Sequence, residues 1–166
     1  PLLLGGDARL RGQALDAMEA HARYLDRQVA RAEDGLGQVA GWCAIVAAGL
    51  LLPDGRPRRL FGEMGLLRAL GELVSEDGGV LSRSPLAQME AIAMLIDLRA
   101  CYAAVDREPP TALETMLALL VPPLLALRMG DRGLGSWQGA GATSALRVDA
   151  LIAASGIRAR PGKDSR

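Results

Sequence analysis

The chain has 166 residues, and its 19 basic and 19 acidic side chains cancel, which argues against a surface built mainly to hold nucleic acid or an anionic membrane. Half of the residues are hydrophobic but only 3% are aromatic, so one domain of this size must build its core from Leu, Ala, Ile, Val and Met. No apolar run reaches the roughly eighteen residues of a membrane span, and strand-like alternation is nearly absent, so the expected class is all-α.

From about residue 7 to 33, Leu15, Met18, Ala22, Leu25 and Val29 recur at spacings of three and four, the apolar stripe of one helix. Glu19, Arg23 and Arg27 form an i,i+4 ladder on the solvated side. His21 and Tyr24 lie at the edge of this helix. Both can exchange protons when suitably perturbed, yet they continue a stripe with Ala14, Ala17 and Gln28, which points to packing or ordinary hydrogen bonding. One histidine is too few for a metal site, and no metal or cofactor is expected.

Asp34-Gly35-Leu36-Gly37 is expected to break the first helix. A second follows over residues 39–52, apolar on nearly every side and therefore internal. Pro53-Asp54-Gly55-Arg56-Pro57 ends it as a turn. A third helix, over residues 58–75, sets Leu60, Met64, Leu67 and Val74 on one face. Gly62, Gly65 and Gly71 weaken it by about 1 kcal/mol each relative to Ala, unless a neighbouring helix packs closely there.

Asp77-Gly78-Gly79-Val80-Leu81-Ser82-Arg83-Ser84-Pro85 is the most specific turn in the chain. Its glycines give backbone freedom after a helix end, Ser84 is placed to cap the next helix, and Pro85 suits that helix's first turn. The fourth helix, residues 85–105, carries Met89, Ile92, Ala93, Ile96 and Ala100 at helical spacing. Thr111 and Glu114 read as a capping box for the fifth, which Pro122-Pro123 should kink or restart. After a loop over residues 130–141, a last helix covers residues 143–154, and 158–166 reads as a charged tail. Six helices with mostly short loops make antiparallel neighbours, and buried faces on both sides of several of them favour an arc of paired helices.

Few residues invite chemistry. Gly35-Leu36-Gly37-Gln38-Val39-Ala40-Gly41 and Gly133-Leu134-Gly135-Ser136-Trp137-Gln138-Gly139 begin like dinucleotide fingerprints, but the third glycine comes one position late and no strand precedes either, so both read as interhelical loops. Glu76 and Asp77 read as a helix end rather than a glycosidase pair, and Asp131 and Arg132 as a turn with a local ion pair. Cys43 and Cys101 read as buried free thiols, with a bridge left open. Trp42 and Phe61 read as core. Arg83, just before a helix N-terminus, is placed either to bind a sugar carboxylate or sulfate or to serve the turn. Trp137, in a Gly-rich loop, either stacks on a sugar ring or folds back over the core.

The turn over residues 77–85, taken with Arg107-Glu108-Pro109-Pro110, Arg128-Met129-Gly130-Asp131-Arg132-Gly133-Leu134 and Gly156-Ile157-Arg158-Ala159-Arg160-Pro161, resembles the helical part of the heparinase II/III-like polysaccharide lyases. The likeness runs from about His21 to Pro161. It implies an (α/α) toroid segment over residues 1–157, with a tail at 158–166 leading to a β-sandwich domain that completes the active site. It also implies an acidic, uronate-containing polysaccharide as substrate, cleaved by β-elimination in the whole protein. The chain lacks an initiator Met, in keeping with a piece of a longer protein.

In that family the helical domain supplies an Asn-His pair after a glycine and a Tyr soon after the Ser-Pro turn. Here Gly35 is followed by Leu36 and Gly37, and Ser84-Pro85 by Leu86, Ala87 and Gln88. Gln38 and Gln88, one position away, can hydrogen-bond a carboxylate but cannot act as bases. The resemblance therefore implies substrate-holding positions at Arg83, Trp137, Gln38 and Gln88 and no catalytic residue in this chain. The rival expectation is a non-catalytic helical scaffold or interaction module, prone to self-association through exposed apolar surface. The sequence does not reveal the compartment.

Overall fold

The computed structural model describes residues 8–32 and 35–158, so Asp34 and the expected tail beyond Arg158 lie outside the described residues. Among those described the chain is all-α: six α-helices and a 3-10 turn, with three isolated antiparallel bridges in the loops and no strand. Residue contacts divide it into two compact units, one up to Leu66 and the other from Leu67 onward.

In the first unit, helix α1 (Ala8–Gln28) runs into a 3-10 turn (Val29–Arg31) and packs on α2 (Gly35–Leu51). The predicted stripe faces inward: Ala22 and Val29 are buried, and Leu15 and Met18 pack on a cluster of Ala22, Ala48 and Leu52. Helix α2 is internal as expected, with Val39, Trp42, Ile45 and Val46 buried. It begins at Gly35 rather than residue 39, so the expected loop at Gly35 to Gly41 is its first two turns. Glycine costs least near a helix start, and Gly41 has a packing use. A Cβ there would come within 2.7 Å of Val29 Cγ2, so α2 lies close under the 3-10 turn.

The turn after α2 is shorter than expected, and Arg56 and Pro57 already belong to α3 (Arg56–Leu73). The apolar face of α3 read from the spacing is largely exposed: Leu60 is 43%, Met64 72% and Leu67 45% exposed. Its glycines decide the orientation. A Cβ on Gly62 would lie 2.8 Å from Val46 Cγ2, and one on Gly65 would collide with the Trp42 ring. Closest approach of two helices occurs where side chains are absent, and that contact outweighs turning three large apolar residues inward. Phe61 is consequently half exposed rather than core, meeting Trp42 edge-on at 5.3 Å between ring centroids. Arg58 ties α3 to α1 through Asp26 at 3.1 Å.

In the second unit Ala69, Leu70 and Leu73 of α3 are buried. Helix α4 (Pro85–Ala104) packs against both α5 (Thr111–Ala126) and α6 (Ala145–Ser155). Its core stripe is centred on Gln88, Ala91, Ile92, Leu95, Leu98 and Tyr102, and Ala100, expected inside, is exposed. Ser84 caps α4 through the Ala87 N–H at 3.4 Å, with Pro85 in the first turn, as the residue types dictate.

No capping box forms on α5. Pro110 precedes the helix, and the Glu114 carboxylate turns to Arg99 on α4 instead. The helix also runs on through Pro122-Pro123 without a restart. Each proline withdraws a donor from the carbonyl four residues earlier, on Ala118 and Leu119, so the helix continues with two bonds of its ladder missing. One of those, the Leu119 carbonyl, lies against Gly78, where a Cβ would collide with it. The loop between α5 and α6 is pinned by bridges of Leu134 with Arg128 and Thr143, and Gly156, at φ 69°, ends α6 in the left-handed conformation.

Candidate functional site

The segment from Ser75 to Gln88 is the most heavily braced loop in the structure. Val74 and Val80 pair as a bridge, and Ser75 N–H bonds the Gly79 carbonyl at 2.9 Å. Asp77 serves this turn rather than merely ending α3. Its carboxylate accepts from the Ser75 hydroxyl, from Gly79 N–H at 2.9 Å and from Arg83 at 2.6 Å. The Ser75 hydroxyl, the Gly79 amide and Arg83, in that order, hold the Asp77 carboxyl far below the ordinary carboxylate range. A carboxylate held so low neither gives nor takes protons near neutral pH.

Arg83 sits at φ 55°, a left-handed conformation that a non-glycine residue adopts only when its surroundings hold it there. Its N–H bonds the Val80 carbonyl at 2.8 Å, and one guanidinium nitrogen reaches Asp77. The side chain remains 54% exposed, leaving further N–H groups facing solvent directly before the N-terminus of α4.

Gln88 has a different use. It is 2% exposed, its side-chain oxygen accepts from Val80 N–H at 2.7 Å, and its amide nitrogen donates to the carbonyls of Gly78 at 2.9 Å and Leu120 at 2.7 Å. Every one of those bonds goes to backbone. Gln88 thus clamps the turn onto α4 and α5, and Arg83 is held on a frame whose far side is locked.

Gln38, in the first unit, donates to the Ala32 carbonyl at 3.0 Å and so fastens the end of the 3-10 turn to α2. Trp137 is 37% exposed, with its indole folded over buried Gly135, where a Cβ would strike the ring. One side of the indole covers the loop backbone, and part of it stays in solvent. The structure thus brings Arg83 and Gln88 together in one turn, leaves Trp137 in the separate loop after α5, and puts Gln38 in the other unit.

His21 and Tyr24 build no proton-transfer pair: His21 Nδ1 donates to the Ala17 carbonyl at 2.7 Å, and Tyr24 is 58% exposed. The expected ion pair of Asp131 with Arg132 is replaced by two separate uses. Asp131 caps Gly133 N–H at 2.9 Å, while Arg132 and Arg128 both reach Asp149 on α6, at 3.1 and 2.7 Å. Cys43 and Cys101 are not joined in a disulfide, and partial burial, with Asp97 nearby, pushes Cys101 above the ordinary thiol value. Among the described residues no cluster of His, Cys, Asp and Glu could hold a metal ion, and no helix is long and apolar enough to cross a membrane.

Sequence reasoning did not anticipate Arg99. From α4 it donates to the carbonyls of Ala154 and Ser155 at 2.7 and 2.9 Å, closing the C-terminus of α6, and it reaches Glu114 on α5 at 3.4 Å. It lines an open polar cleft of about 560 Å³ with Asp106, Arg107, Glu108 and Glu114. Only the position of an arginine on an apolar helix hinted at it.

No protein-family model, curated protein or solved structure matches the chain.

Proposed function

We propose that this chain is the helical, substrate-holding part of a heparinase II/III-like polysaccharide lyase, and that it binds an acidic polysaccharide without performing the elimination. The reading rests on the resemblance of its turns to that family and on the all-α fold of the described residues. The observation that carries it is Arg83: a guanidinium with unused N–H groups, fixed before a helix N-terminus by a turn that spends three backbone bonds of Gln88 and one carboxylate on its shape. A pre-positioned arginine recognises a carboxylate or sulfate at little ordering cost.

Beta-elimination needs a base for the ring proton and an acid for the leaving oxygen. The residues of the turn are an arginine, an amide and a carboxylate held far below neutral, so the chemistry falls to a second domain of the parent protein. Calorimetric titration with a uronate polysaccharide tests the reading, together with the ultraviolet absorbance of any unsaturated product. The 166-residue chain should bind, should bind more weakly as Arg83→Ala, and should form no unsaturated product. Absence of binding, or turnover by the chain alone, would overturn it.

A second reading, a helical interaction module, is favoured by the apolar residues on the outer side of α3, of which Met64 is 72% exposed. Protection around Arg83 on adding polysaccharide would count for the first reading; no change there would count for the second.

A further inference from the structure

The cleft between α4 and α6 has an apolar floor and two opposed charges on its walls. Leu86, Met89 and Ala93 of α4, spaced by three and four residues, form the floor with Leu151 of α6. Glu90 stands on the α4 side and Arg147 on the α6 side, both exposed. Among the described residues neither side chain forms a hydrogen bond or an ion pair. That is unusual in a unit whose other interhelical arginines, Arg99 and Arg128, are all engaged.

The cleft's volume, about 220 Å³, decides what it takes. It exceeds the roughly 150 Å³ that admits one benzene ring, yet falls short of the roughly 300 Å³ at which small-molecule pockets begin. One or two inserted side chains fill it. A partner carrying one sign of charge would satisfy either Glu90 or Arg147 and leave the other facing its like. The patch is, however, complementary to itself in charge: a two-fold axis through the cleft brings Glu90 of one copy to Arg147 of the other, and the reverse.

We propose that this α4/α6 face is where two copies of the chain pair about a two-fold axis. Zero net charge leaves no general repulsion to oppose the encounter. Leu146, next to Arg147 and 80% exposed, gives the rim of the same face further apolar area to cover. The pairing is independent of polysaccharide binding, since none of these residues belongs to the turn that holds Arg83.

Sedimentation equilibrium of the 166-residue chain over a micromolar concentration series tests the proposal. The wild type should dimerise, more weakly as salt is added. Glu90→Arg or Arg147→Glu should each weaken the dimer by about tenfold or more, because two-fold symmetry makes one substitution turn two attractive contacts repulsive. An equimolar mixture of those two variants should recover association as a heterodimer, since each then supplies the charge the other lacks. Both positions are exposed, and circular dichroism should show unchanged helicity. If a reversal variant does lose helicity, Glu90→Gln and Arg147→Gln take its place, each expected to weaken the dimer. A monomeric wild type, a dimer indifferent to the single variants, or a mixture no tighter than its components would overturn the proposal.

Discussion

The side-chain amide of Gln88 on α4 donates at 2.7 Å to the backbone carbonyl of Leu120 on α5, and the same side chain holds Val80 and Gly78 on the turn between α3 and α4. One buried amide therefore joins three segments of the second unit. Replacing it with leucine keeps the volume but leaves the buried Val80 N–H and the Gly78 carbonyl without their partner, while the Leu120 carbonyl keeps its bond within α5. At about 1 kcal/mol or more for each of the two groups, the loss should reach about 2 kcal/mol. Urea unfolding of Gln88→Leu checks this, and a loss under about 1 kcal/mol would show that water replaces the amide.

The glycines of α3 should respond oppositely to the same substitution. Gly65→Ala drives a methyl into the Trp42 ring, where neither helix has room to move apart, and should cost about 1 to 3 kcal/mol. Gly71 is exposed with nothing near its Cα, and Gly71→Ala should stabilise by about 0.5 to 1 kcal/mol through helix propensity. Thermal or urea unfolding of the two variants should move in opposite directions. Equal shifts would mean that α3 does not meet α2 along its glycines.

This contrast also shows what could be read from the residues alone. Periodicity located all six helices, and local chemistry fixed the Ser84-Pro85 start of α4, because both depend on neighbours a few residues away. The orientation of α3 was not legible. Counting apolar residues favours Leu60, Met64 and Leu67 as the inner face, whereas the decisive quantity is how closely α2 approaches Gly62 and Gly65. The same limit governs the site. Arg83 could be placed before a helix N-terminus from sequence, but its partner Asp77 and the burial of Gln88 depend on how the turn folds back. Arg99 was missed because its main partners lie more than fifty residues away.

Arg99 should matter chiefly to the end of α6. Its guanidinium supplies the donors that the last carbonyls of that helix lack, and its side chain is only 27% exposed. Arg99→Met keeps an apolar stem while removing the donors, and should cost about 1 to 2 kcal/mol. The loss should be local first: hydrogen exchange should quicken in α6 before it does in α4. Uniform acceleration across the second unit, or none, would contradict that role.

Asp77 gives the turn a defined response to acid. Its folded value lies below the ordinary carboxylate value of 3.8, so the charged form is the one that favours folding. The contribution is therefore complete at neutral pH and down to the ordinary value, and is lost as pH falls on toward the folded value. Asp77→Asn removes the charge at every pH while keeping an acceptor oxygen for Ser75 and Gly79. The stability difference between wild type and variant should stay level from neutral to about pH 4 and shrink below it. Unfolding midpoints measured across the acid range, with the side-chain carbon shift of Asp77 as a direct monitor, check the sign. A difference that widens toward acid would mean that the carboxyl is not held low, and that the Ser75, Gly79 and Arg83 bonds do not brace the turn.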